Sequence, residues 1–153
     1  TVASAHLDSH GTPADRADEM RELLHAIDAY DRDAPVVIGG DLNSFSLGLA
    51  EVGDPERVAA APRADPRRWS NPVPHEPLFE AAAERGFSWE AANAPGVPTL
   101  RHATEDGSRR GAMKLDWFLT RDVAPQNPRV IDAVGLDGTL LSDHEAIAAA
   151  FGL

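Results

Sequence analysis

Val36, Val37 and Ile38 follow one another with no polar residue between them, and such a β-branched run suits a short strand buried on both faces. Gly39-Gly40 reads as its stop, because two glycines let the backbone turn sharply. Asp41 and Asn43 come directly after. In an open α/β sheet ligands gather beyond the carboxyl ends of the strands, so a carboxylate and a carboxamide two residues apart here can face one pocket. The same pair also suits an Asx-rich turn in which both side chains bond their own backbone.

Upstream, residues 2 to 7 alternate as a strand does, with Val2, Ser4 and His6 set against Ala3, Ala5 and Leu7, which leaves His6 at a strand end. Thr12-Pro13 supplies an N-cap and a proline at the first helical position, and Met20, Leu23, Leu24, Ile27 and Tyr30 recur at helical spacing. A helix over 13–31 follows from this, its acids and arginines forming a solvated outer face. Strand, helix and strand make Val2 to Asn43 a βαβ-like unit. Parallel neighbouring strands would then bring His6 and Asp41 to one edge of the sheet.

Residues 46 to 61 are expected to hold one or two short helices, broken at Gly53-Asp54-Pro55. Residues 62 to 77, rich in proline and arginine, read as a surface loop whose arginines can reach a ligand. Helical spacing resumes from Glu76 to Arg85 with Leu78, Phe79 and Ala82, and Gly86 stops it. Phe87-Ser88-Trp89 packs or begins a strand, and Thr99-Leu100-Arg101 is a short strand. Glu105 to Ser108 signal a turn before the clearest later strand, Lys114 to Thr120, with Leu115, Trp117 and Leu119 on one face and Lys114, Asp116 and Phe118 on the other. Asp116 thus sits among core residues and needs a partner, for which Arg101 or Arg110 would serve. Val130 to Val134 is a further strand, and a glycine-bearing turn at 135–138 leads to Ser142-Asp143-His144. The alanine-rich end, Glu145 to Phe151, reads as helix by propensity.

With 153 residues and 42% hydrophobic content, the chain is long enough to bury a substantial core as one unit. No apolar run approaches the roughly 20 residues that span a bilayer. The absence of cysteine excludes a disulfide scaffold, a cysteine zinc site and a cysteine nucleophile. A net charge of −11 disfavours nucleic-acid binding, although Arg63, Arg67, Arg68, Arg109 and Arg110 offer a local basic patch. The first residues look like a strand already in progress, and the chain lacks a starting methionine, so a segment upstream is expected.

His6, Asp41 with Asn43, Asp116, and Asp143 with His144 all fall in strands or at their ends. Histidines beside acids and a carboxamide suit oxygen-preferring Mg²⁺ or Mn²⁺ with acid–base histidines better than zinc. No Gly-x-Ser-x-Gly elbow is present, which turns a hydrolase reading towards activated water and a phosphoryl group. His-Leu-Asp-Ser, Gly-Gly-Asp-Leu-Asn, Lys-Leu-Asp-Trp-Phe and Ser-Asp-His, in this order across residues 6 to 144, resemble the endonuclease/exonuclease/phosphatase superfamily.

That resemblance implies a metal-dependent phosphoesterase of a bacterial-looking branch, hydrolysing a phosphoester, and first of all a phosphodiester, by activated water. It assigns catalytic roles to His6 (phosphate or leaving group), Asp41 (attacking water), Asn43 (water or phosphate oxygen), Asp116 (orienting acid) and His144 (general base), and places Asp143, Asp41 and Asn43 at the metal. Alternatives are a deoxyribonuclease and a non-catalytic interaction module that keeps the fold. The implied fold class is α/β, part of a four-layer sandwich of two mostly antiparallel sheets, of which this chain supplies mainly one sheet and its helices. It also turns Glu145 to Phe151 into a strand. Family members carry an amino-terminal half with a metal-binding glutamate, which this chain lacks ahead of His6. The chain is therefore expected to be the carboxy-terminal portion, to hold the metal incompletely and be inactive on its own, and to leave a sheet face for that missing half or another chain to cover.

Overall fold

The computed structural model describes residues 1–45, 55–68, 76–103 and 109–152. The elements in chain order are β1 (Val2–His6), α1 (Pro13–Asp31), β2 (Val36–Asp41), α2 (Pro55–Ala64), α3 (Pro77–Ala83), β3 (Leu100–Ala103), β4 (Arg109–Met113), β5 (Asp116–Arg121), β6 (Ala124–Ile131) and β7 (Ala146–Gly152). The helical stretch expected within 46–54, the 69–75 part of the arginine-bearing loop and the turn at 105–108 lie outside the described residues.

The capping box of α1 explains its sharp start: the Thr12 hydroxyl accepts the Asp15 N–H at 3.1 Å while the Asp15 carboxylate accepts the Thr12 N–H at 2.8 Å. The helix then crosses from β1 to β2, which pair in parallel, and β5 joins the other edge of β2 antiparallel. On one side of this sheet Ala17, Met20, Leu24 and Ile27 of α1 and Leu78, Phe79 and Ala82 of α3 bury Val36, Ile38, Trp117 and Leu119. Phe79 sets its ring 5.1 Å from Trp117 edge to face and 4.9 Å from Trp89, so three aromatics lock the helix layer to the sheet.

On the other side the register lines up Val2 with Val37 and Thr120, Ser4 with Gly39 and Phe118, and His6 with Asp41 and Asp116. Phe118 meets Phe151 of β7 edge to face at 5.3 Å. The remaining strands form two antiparallel pairs, β3–β4 and β6–β7, each with a register irregularity. The architecture is thus α/β with mostly antiparallel pairing.

Four local readings need correction. Gly39-Gly40 does not end β2, which runs on to Asp41; the glycines instead admit close neighbours. A Cβ on Gly40 (φ 149°) would stand 1.9 Å from the Ala5 carbonyl oxygen, and one on Gly39 would stand 2.7 Å from the Phe118 ring. Not every arginine of α1 belongs to its solvated outer face, because Arg16 is fully buried on the core-facing side. Residues 62 to 64 belong to α2 rather than to a loop. β6 begins at Ala124 despite Pro125 and Pro128, which a strand paired on one edge tolerates around an irregularity where Asn127 has φ 52°. β7, by contrast, is the strand that the resemblance implied against helix propensity.

Candidate active site

Three strands deliver the first half of the site. Their register sets His6 at the end of β1, Asp41 at the end of β2 and Asp116 at the start of β5 in one row on one face. Just past β2 the chain turns: Asp41 Oδ1 accepts the Asn43 N–H at 2.9 Å, and Asn43 takes a left-handed φ of 49°. The Asx turn and the pocket-facing pair are therefore the same feature. Asn43, itself buried, donates from Nδ2 to the Leu7 carbonyl at 2.9 Å, which ties the ends of β1 and β2 together.

His144 comes from the segment before β7. That segment is clamped to β3 by Arg101 N–H to Asp143 O at 2.8 Å and Glu145 N–H to Thr99 O at 2.7 Å. The Glu145 carboxylate, almost fully buried, pairs with Arg101 Nε at 2.7 Å and also accepts the Ala133 N–H. Thr99 supports the opposite wall, its hydroxyl accepting the N–H groups of both Leu115 and Asp116 at 3.0 Å. Held in this way, His144 Nδ1 lies 2.8 Å from Asp116 Oδ2, the geometry of N–H donation to a carboxylate. The partner that Asp116 required is thus this histidine, while Arg101 serves Glu145.

The remaining ring nitrogen, His144 Nε2, stands 3.8 Å from Asp41 Oδ2, and His6 Nε2 stands 3.7 Å from the same oxygen. All five residues line one cleft of about 610 Å³, together with Asp143, Ser142, Ser9 and Arg68. The bond to Asp116 holds the His144 imidazole above its ordinary pKa against its partial burial, and the charges of Asp116, Asp41 and Asp143 act with it. Burial raises the Asp41 carboxyl, and the neighbouring Asp116 charge adds to that, opposed by the Asn43 N–H and the two histidines. Behind the cleft Lys114 is buried, its ammonium donating to the Ala94 carbonyl at 3.0 Å and lying 5.1 Å over the Trp117 ring. Burial pulls it down to about 8.

Two chemical capacities follow. A histidine whose Nδ1–H is anchored on a carboxylate presents Nε2 as a proton acceptor, the arrangement of a general base. Ligand atoms of Asp41, Asp116 and His144 also lie within 4.8 Å of one another, so this group can hold a metal ion. Asp143, expected at the metal, lies on the cleft wall outside that trio. Sequence reading passed over Thr99, Glu145 and Arg16. Arg16 carried a signal, since it stands four residues before Met20 on the stripe of α1 that faces the core.

Solved structures similar to this chain include the endonuclease domain of TRAS1, a telomere-specific non-LTR retrotransposon, at 17% identity and a TM-score of 0.55 over 98% of this chain and 55% of that one. The likeness is one of fold. D. rerio TDP2, solved with a single-strand DNA product, shares this fold at 20% identity and a TM-score of 0.51, covering 98% and 55%. Beta toxin from Staphylococcus aureus aligns at 17% identity and 0.51, covering 97% and 52%. The chain spans about half the length of these structures. No protein-family model and no curated protein matches the sequence.

Proposed function

We propose that this chain is the carboxy-terminal part of an endonuclease/exonuclease/phosphatase domain and that its cleft is the catalytic edge of a metal-dependent phosphodiesterase. The observation that carries the reading is the Asp116–His144 bond beside Asp41, formed where three strand ends meet. In this reading His144 Nε2 takes a proton from water, Asp116 fixes the ring and stabilises its charged form, and Asp41 and Asn43 align the water. His6 faces the leaving group.

Because Asp116 and His144 are committed to each other, the ion falls to the oxygen donors Asp41, Asn43 and Asp143, a set that fits Mg²⁺ or Mn²⁺. Bound there, such an ion would offset phosphate charge and make a bound water more acidic. Cations of this class favour about six oxygen ligands, more than this set offers, so the rest of the domain is assigned the remainder. That missing half, or another chain, would also cover the groove of about 290 Å³ lined by Val2, Val37, Phe118 and Phe151.

A net charge of −11 favours a small phosphodiester over a nucleic acid as substrate. The likeness to TDP2, solved with a DNA product, supports DNA as the second reading. The longer protein containing this chain is expected to hydrolyse bis(p-nitrophenyl) phosphate with Mg²⁺ or Mn²⁺ and to stop when EDTA is in excess. Undiminished hydrolysis in EDTA would reject the mechanism, and a preference for DNA over the small diester would establish the second reading.

A further inference from the structure

Any phosphate entering the cleft meets the carboxylates of Asp41, Asp116 and Asp143 on its wall. Among the described residues, one arginine or lysine shares that wall, and it is Arg68. Its position is set from the interior. Arg16 of α1 is fully buried, and its guanidinium donates from Nε to the Ser44 hydroxyl at 2.9 Å and from Nη1 to the Gly11 carbonyl at 2.8 Å. Nη2 donates both to the Glu76 carboxylate at 3.0 Å and to the Arg68 carbonyl at 2.6 Å. Asp65 Oδ1 accepts the Arg68 N–H at 3.1 Å, closing the turn that follows α2. One buried cation thereby fastens the Arg68 turn to the chain just beyond Asn43, and Arg68 Nη2 comes to rest 3.4 Å from Asn43 Oδ1.

Burying an arginine is costly unless its donors are met by well-placed acceptors, and Arg16 is met on every arm by a different segment of the chain. A group so placed organises its surroundings. We propose that Arg68 is the phosphate-anchoring cation of the cleft and that Arg16 is the positioning residue that holds it there. This rests on the phosphoesterase reading and names the group that takes the substrate's anion. A guanidinium presents parallel N–H donors that match two phosphate oxygens, which a lysine ammonium cannot reproduce as a fork.

Two readouts test the proposal separately from the catalytic reading. In the first, inorganic phosphate is titrated into this chain in EDTA, followed by calorimetry and by the arginine Nε–H resonances. Wild type should bind saturably with a shift of the Arg68 signal, Arg68→Met should weaken binding by about tenfold or more, and Arg68→Lys should recover part of it. Arg67→Met, on the exposed neighbour of the same turn, should stay within about twofold, as expected of a surface charge. Arg16→Lys tests the anchor directly. Since that variant can fail to fold, Ser44→Ala, which removes one acceptor and leaves the buried charge paired, should weaken phosphate by about two- to threefold. No phosphate binding by wild type, or equal losses in Arg68→Met and Arg67→Met, overturns the proposal.

In the second readout, hydrolysis of bis(p-nitrophenyl) phosphate by the longer protein, Arg68→Met should raise KM more than it lowers kcat. A wild-type KM overturns the anchor and leaves the phosphoesterase reading standing. Arg68-dependent phosphate binding without any hydrolysis supports the anchor and overturns the phosphoesterase reading.

Discussion

On the helix side of the β1-β2-β5 sheet, Trp117, Ile38 and Leu119 lose all contact with solvent beneath α1 and α3, whereas on the opposite side Val2 keeps 84% of its surface exposed and Phe118 is only half-covered. The segment leading to His144 continues the second pattern, with Leu136 and Leu141 largely exposed. The helix side is a closed interior of interlocked aromatics; the other side carries His6, Asp41 and Asp116 in its last row. Stability and chemistry are thus assigned to opposite faces of the same three strands, which alternation along each strand makes possible. Substitutions on the two faces should therefore fail in different ways.

The largest effect is expected at Trp117, whose truncation to alanine empties the centre of the helix side and removes an indole N–H bond to the Ser44 carbonyl of 2.9 Å. Trp117→Ala should cost about 3–5 kcal/mol in chemical denaturation. A loss below about 1 kcal/mol would mean that the helix layer is not what holds the sheet. One residue earlier, Asp116→Asn should do the reverse, lowering phosphodiester hydrolysis by about 10²-fold or more, close to 2.7 kcal/mol of barrier, with the denaturation midpoint little changed. Wild-type turnover in that variant would reduce Asp116 to a structural acid.

A smaller effect is expected from pH. Because the folded-state pKa of His144 is raised above the unfolded value of about 6.5, the stability it contributes is fully present below that value and fades as pH rises through the folded one. The difference in unfolding free energy between wild type and His144→Gln, measured in EDTA, should shrink as the pH is raised from about 6 to about 9. A difference that grows over this range would contradict the assignment. The smallest effect is expected at Val2. Val2→Ser should change the stability of this chain by less than about 0.5 kcal/mol, and the same change in the longer protein should cost about 1.5 kcal/mol if that side of the sheet is covered there. Equal, negligible effects in both would leave the open side as a true surface.

The sequence made α1 readable to the residue because its boundary is chemical and local: Thr12 and Asp15 cap each other, and the apolar spacing begins at once. The strand at 36 was equally plain, yet its end was misplaced, since a glycine pair reads as a break unless one knows that a carbonyl of β1 and a ring of β5 press against it. The alanine-rich terminus is the converse case, in which pairing with β6 overrides a local preference for helix. Asp116 announced that it needed a partner but not which one, because His144 lies 28 residues away and reaches it only through the clamps of Thr99 and Glu145. Arg16 was legible in its place on the helix but not in its partners. A charge on an amphipathic helix is ordinarily solvated, and its acceptors come from four separate segments that no spacing rule connects.

The row of His6, Asp41 and Asp116 is fixed by strand pairing and not by loops, and this has a consequence for how such a protein diverges. A slip of one residue between β1 and β2 or between β2 and β5 would turn one member of the row into the helix-side core, so the three positions can change only together. The Arg68 turn on the same cleft is restrained differently, by side-chain bonds to Arg16 and Asp65 and not by strand register. What that turn presents can therefore change while the row keeps its spacing, which makes this edge a transplantable cassette: if the cleft takes a phosphoester as proposed, new specificities should be reachable at the turn without touching a single paired strand.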